Sequence, residues 1–195
     1  MNNMLYHPNQ KHMIVAGLDE AGRGCLAGPV VCASVILPTD YFNNNINDSK
    51  KISKKKRKIV YNDIINNAVT YSIQEVDNNI IDQINILQAT YHGWSLCINN
   101  MSVGPEFLII DGNNFIKNYK IPHECIVKGD SKYLSIAAAS ILAKVHKDNK
   151  MEQLHNIYPM YNWIQNSGYG TIEHKKAISN YGLSEYHRKS YKIKL

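Results

Sequence analysis

Two β-branched apolar runs near the N-terminus, His12–Leu18 (HMIVAGL) and Gly28–Leu37 (GPVVCASVIL), are separated by only nine residues, Asp19–Ala27. Each run has the composition of a strand. A parallel pair needs a crossover of a dozen residues or more, so these two strands are expected to be antiparallel neighbours. Downstream, strand-like and helix-like segments alternate, which places the chain in the α/β class. Ser53 has the chemistry of an N-cap for a basic helix over Lys54–Asn66. Ala68–Val76 alternates like a strand, and Asp77 precedes a helical pattern from about Ile80 to Asn99. Phe107–Asp111 and Cys125–Val127 are short apolar strands. Ser135–Asn149 is rich in small residues, as a helix packed closely on a sheet would be. It is expected to continue toward Ile157, before Pro159 stops it. Thr171 caps a last helix to about Tyr181, followed by a basic tail.

At 195 residues the chain suits one domain, with the region from about 150 to 195 as a helical C-terminal part. It is 44% hydrophobic and 19% charged, so a folded chain rather than a disordered one is expected. The net charge of +6 favours a polyanionic partner. No apolar run is long enough for a membrane span and the N-terminus has no signal-peptide core, so no membrane association and a cytoplasmic location are expected. Cys25, Cys32, Cys97 and Cys125 form no CxxC pair and read as reduced, mostly buried thiols rather than a zinc site.

Four acids stand at the ends of apolar strands: Asp19-Glu20 after IVAGL, Asp111 after FLII, and Asp130 after CIVKG. Strand ends are where open α/β sheets build sites, so these acids are placed to converge. Clustered carboxylates repel one another and need a counter-charge. An all-oxygen set suits Mg²⁺ or Mn²⁺. Neighbouring side chains on a regular strand point to opposite faces, so Asp19 and Glu20 reach one metal site only if the strand ends or bends there. Gly22 and Gly24 supply that freedom. Together with Arg23 they offer backbone amides and a guanidinium fork to a phosphate or ribose. The bland alternative is a set of acids that merely solvate loops; it weakens with four such acids in a basic chain.

At this point the sequence resembles the ribonuclease HII family, over about His12 to Tyr191. The resemblance rests on GLDEAGRGCLAGPVVCASVIL (Gly17–Leu37), NDSKKISKKKR (Asn47–Arg57), LIIDGN (Leu108–Asn113), KGDSKYLSIAAASILAKVHKD (Lys128–Asp148), GYGTIEH (Gly168–His174) and HRKSY (His187–Tyr191), in the family's order. It implies a ribonuclease H-like fold, a central mixed β-sheet flanked by helices, with a helical C-terminal part. It implies that Asp19, Glu20, Asp111 and Asp130 are the metal-binding catalytic acids. Gly22, Arg23 and Gly24, assisted by Tyr169, would sense the ribose 2′-hydroxyl, and Ser49 and Lys50 would contact phosphate. The implied activity is incision at ribonucleotides embedded in duplex DNA and cleavage of the RNA strand of RNA–DNA hybrids. It would leave 5′-phosphate and 3′-hydroxyl by two-metal-ion hydrolysis with Mg²⁺ or Mn²⁺.

Three positions depart from the pattern: Cys25 replaces an expected Pro, His146-Lys147 replaces Thr-Arg, and Tyr191 replaces Phe. None removes a catalytic acid. With 18 residues before Asp19, the N-terminal substrate-binding domain of the sister family, ribonuclease HIII, is not expected. The chain is expected to be a monomer, and contact of its basic tail with a replication protein is left open. Trp94 and Trp163 are expected to be core or subdomain-interface anchors, and His174 to orient its loop or pack near the C-terminal helix. His187-Arg188 either contacts nucleic acid or pins the tail. The alternatives are a non-catalytic nucleic-acid-binding protein on the same fold, or another nuclease of the same superfamily.

Overall fold

The computed structural model describes residues 14–46 and 53–193. Its centre is a five-stranded mixed sheet built from β1 (Val15–Ala21), β2 (Val30–Ile36), β3 (Thr70–Val76), β4 (Phe107–Asp111) and β5 (His123–Ile126), in the order β3-β2-β1-β4-β5. β1 pairs antiparallel with β2, as the short connection requires, and parallel with β4. Leu18 lies opposite Ile110 in the β1–β4 pairing, so the next residues, Asp19 and Asp111, come side by side at the carboxyl ends of neighbouring strands.

Helices cover both faces. On one side α1 (Lys54–Asn67) and α3 (Leu134–Ile157) pack on Val31, Ala33 and Val35 through Val60, Ile64, Ala137 and Ile141. On the other, α2 (Asn78–Asn99) sets Trp94 and Cys97 against Ala16, Leu18, Cys32, Leu108 and Ile110. The closest helix–sheet approach is at Gly17, where a Cβ would stand 2.3 Å from the backbone carbon of Ser135. Only glycine admits α3 that near to β1. Two further helices, α4 (Trp163–Asn166) and α5 (Ile172–Tyr181), pack on the far end of α3 around Met151, Tyr161 and Trp163.

The capping residues read from the sequence act as caps. Ser53, Asp77 and Thr171 accept from the amides of Lys56, Ile80 and His174 respectively. Two features differ, while α3 ends where it was expected to. β1 does not end at Leu18: its pairing with β2 runs on to Ala21 opposite Val31, so Asp19 and Glu20 lie within the strand. α2 is broken at Asn85, where φ is 64° and the side chain caps the continuing helix by accepting from the amides of Leu87 and Gln88. α3 runs unbroken to Ile157.

Candidate active site

Asp19 faces α3, as its position two residues after Gly17 dictates. Its carboxylate accepts from the Ser140 hydroxyl of α3 and, at 2.7 Å, from the Glu20 amide. Trp94 on the opposite side donates its indole N–H to the Asp19 carbonyl at 3.4 Å. By alternation Glu20 starts toward the other face. It nevertheless lines a cavity with Ser140 and Lys144, because β4 has already ended at Asp111 and leaves that edge of β1 open. Arg23 holds it there, with Nη1 donating to Glu20 Oε1 at 3.3 Å. An open sheet edge thus lets Glu20 border the cavity, which Asp19 does not line.

Asp111 is oriented from below, its Oδ1 accepting the Gly129 amide at 2.7 Å. Asp130 follows in a short 3₁₀ turn, entered through Lys128 in the left-handed region, and is buried. The tie between Asp111 and Gly129 keeps that turn against the end of β4. Asp130 does not line the cavity that Glu20 borders.

The acids strain against one another. Burial, then Glu20 and Asp111, push the Asp19 carboxyl well above its usual range. Burial pushes Glu20 up to about 6 despite the opposing pull of Arg23, and Asp111 adds to the rise. Among the described residues no three His, Cys, Asp or Glu side chains already close around a common point. The donors are nonetheless all carboxylate oxygen, and Asp19 is raised by repulsion from both Glu20 and Asp111. Both features fit a hard divalent cation.

The cavity of about 280 Å³ beside the acids is lined by Glu20, Ala21, Gly22, Arg23, Gly24, Arg57, Ser140, Lys144 and Tyr169. The Gly-Arg-Gly segment and Tyr169, some 145 residues apart in sequence, thus share one wall. Gly22 has φ of +95°, a conformation that favours glycine, and a Cβ there would stand 2.3 Å from Lys147 Cε. Arg188, completely buried, holds the segment from behind. Its Nη2 donates to the Gly22 carbonyl at 2.7 Å, Nη1 to the Arg23 carbonyl at 2.8 Å, and Nε to the Gly28 carbonyl at 3.0 Å. Tyr191 donates its hydroxyl to the Arg23 carbonyl at 2.7 Å. His187-Arg188 thus pins the tail to the loop.

Tyr169 is held through its own carbonyl, which takes the Nδ1 hydrogen of buried His174 at 2.9 Å. His174 orients the loop, as expected, and Trp94 and Trp163 are buried anchors. Ser49 and Lys50 lie outside the described residues. Sequence reasoning missed Ser140 and Lys144. Their spacing with Asp148 at i, i+4, i+8 on one face of α3 was the available signal. Asp148 holds Lys144 at 2.7 Å and Arg57 at 3.7 Å, so two cations stand together at the cavity.

Among the described residues no helix is long and apolar enough to cross a membrane. The sequence model of the family described as Ribonuclease HII matches residues 16–194. A Ribonuclease HII of Christiangramia forsetii is 50% identical, covering 97% of this chain and 96% of its own. Among solved structures, the PCNA–RNase HII complex from Archaeoglobus fulgidus contains a fold that superimposes with a TM-score of 0.79 at 23% identity, over 94% of this chain and 97% of that one. A Bst-RNase HIII in complex with Mn²⁺ matches with a TM-score of 0.63 at 19% identity, over 86% of this chain and 62% of that one. The full-length match in sequence, the ribonuclease H-like sheet and the strand-end acids agree: the chain belongs to the ribonuclease HII family of metal-dependent endoribonucleases.

Proposed function

We propose that this protein cuts the RNA strand of RNA–DNA hybrids and incises at single ribonucleotides within duplex DNA, leaving 5′-phosphate and 3′-hydroxyl ends. One observation carries the reading: Glu20 belongs both to the repelling acid cluster and to the wall that carries Gly22, Arg23, Gly24 and Tyr169. Chemistry and ribose sensing therefore meet at one side chain.

In this reading Asp19, Glu20, Asp111 and Asp130 hold Mg²⁺ or Mn²⁺, two ions when substrate is present. When bound, the cations activate the attacking water and stabilise the leaving oxygen. Ser140 keeps Asp19 oriented, and Gly129 does the same for Asp111. Because the Gly22 and Arg23 carbonyls are engaged by Arg188, the opposite side of this segment is left to meet a ribose 2′-hydroxyl, the group that separates RNA from DNA. Tyr169, 41% exposed, offers a surface to the sugar beside it. Lys144 and Arg57 meet backbone phosphate, and Ser49 and Lys50 extend that contact. The protein acts as a monomer, and base sequence goes unread.

The test is a duplex carrying one ribonucleotide, incubated with Mg²⁺, Mn²⁺ or chelator beside an all-DNA control. Cleavage at the ribonucleotide alone, abolished by chelator, is expected. Equal cutting of the all-DNA duplex, or undiminished cutting in chelator, would overturn the reading.

A further inference from the structure

Two positions at which the sequence departs from the pattern it resembles, Cys25 and Lys147, meet beneath Tyr169. Lys147 projects from α3 and is completely buried. Its Nζ donates to the Ser167 carbonyl at 2.5 Å and stands 5.2 Å from the centroid of the Tyr169 ring. Among the described residues no carboxylate lies within ion-pair distance of it. Cys25 is also completely buried, and its Sγ donates to the same Ser167 carbonyl at 3.5 Å. Its backbone forms an isolated antiparallel bridge with Tyr169.

A buried ammonium is costly unless its donors are occupied. Here the Ser167 carbonyl takes one of them and the Tyr169 ring faces the ammonium, so both contacts belong to the Tyr169 turn. The stem of Lys147 does a second thing. It fills the space that a Cβ at Gly22 would need, so the same side chain touches both halves of the cavity wall. Packing alone would be served by Met, which has the length without the charge. The charge adds a directed hold on the turn and the ring.

We propose that Lys147 and Cys25 are positioning residues for Tyr169. They form a seat that fixes its turn through the Ser167 carbonyl and the backbone bridge and supports its ring, and so set the distance between the ring and the Gly-Arg-Gly segment. This rests on the reading of Tyr169 as part of the ribose-sensing wall. The seat acts on substrate recognition and leaves the carboxylates untouched.

The experiment is a double-mutant cycle on a duplex with one ribonucleotide, reading KM and kcat separately. Lys147→Met is expected to raise KM roughly tenfold, about 1.4 kcal/mol, with kcat within about twofold. Lys147→Arg restores most of the loss, and Cys25→Ala gives a smaller rise in KM, about threefold. In a Tyr169→Ala background neither Lys147→Met nor Cys25→Ala adds a further loss. Full additivity in that background would overturn the seat while leaving Tyr169 as a sensor. An unchanged KM for Tyr169→Ala itself would remove the sensor reading, and the proposal with it. If Lys147→Met does not fold, the Cys25→Ala cycle decides alone by the same criteria.

Discussion

The carboxyl end of the sheet and the C-terminal clasp are both buried and both rich in titratable groups, but they handle charge in opposite ways. At the sheet end Asp19, Glu20 and Asp111 are crowded together, and burial and mutual repulsion raise Asp19 and Glu20 toward the neutral form. In the clasp every ring nitrogen of two histidines finds a partner. His174 Nε2 accepts from the Trp163 indole at 3.0 Å and from His187 Nε2 at 3.1 Å. His187 Nδ1 accepts from the Ser184 amide and hydroxyl, each at 2.9 Å. This pattern holds only if both rings are neutral, with His174 protonated at Nδ1 and His187 at Nε2, an assignment inferred from the bonds. The sheet end holds buried acids that repel one another; the clasp is complete and fixes shape. A site that must take up a ligand gives up local stability, and its surroundings supply the rigidity.

The largest expected effect separates the two regions by activity. Asp111→Asn should cut turnover by at least about 10³-fold while leaving the fold intact. The new amide oxygen still accepts from Gly129, and one repelling charge on Asp19 and Glu20 is gone, so the thermal midpoint should hold or rise. Near-normal turnover in Mg²⁺, or a clear fall in the midpoint, would erase the distinction drawn between the regions.

Next in size is Arg188→Met, which strips the side-chain donor from the buried Gly22 and Gly28 carbonyls and leaves that of Arg23 to Tyr191 alone. A loss of about 3 kcal/mol is expected, or about 6–12 °C in the thermal midpoint. A drop under about 2 °C would mean that the clasp does not hold the Gly-Arg-Gly segment.

The smallest effect is in the pH dependence, where the regions should pull in opposite directions. Glu20 is raised to about 6, so its folded state takes up a proton more readily than the unfolded chain. Its contribution is present at low pH and lost as pH rises through about 6. His187 is pushed down to about 4, by burial first and then by His174. The folded state resists that proton, so stability is full above the ordinary histidine pKa of 6.5 and lost as pH falls toward about 4. Melting curves at pH 7 and pH 5 should therefore diverge between variants. Glu20→Gln should lose more stability on acidification than the parent, and His187→Gln less, each by about 1 kcal/mol. Parallel curves for all three would contradict both assignments.

Much of this fold was legible because it is local. Nine residues between two apolar runs dictate an antiparallel pair, and Ser53, Asp77 and Thr171 announce helix starts through a bond spanning three residues. The acids were recognisable because each follows an apolar strand. The extent of β1 was not, since its last three residues are held as strand by the register with β2, which no local pattern encodes. Nor was the break at Asn85 legible, in a run that keeps helical spacing on both sides of it.

The sequence by itself determined the α/β class and the places of Asp19, Glu20, Asp111 and Asp130 at or after apolar strand runs, with Gly-Arg-Gly close behind the first pair. Only the tertiary structure decided what those acids face. The parallel pairing of β1 with β4 sets Asp19 beside Asp111, the early end of β4 frees Glu20, and α3 delivers Ser140 and Lys144 to one cavity with Lys147 buried behind its wall. Arg188 reaches back across some 160 residues to hold Gly22 and Arg23. Caps and strand patterns are decided by bonds a few residues long. A cavity wall is decided by which distant segments close on one another, and that is fixed only when the whole core packs.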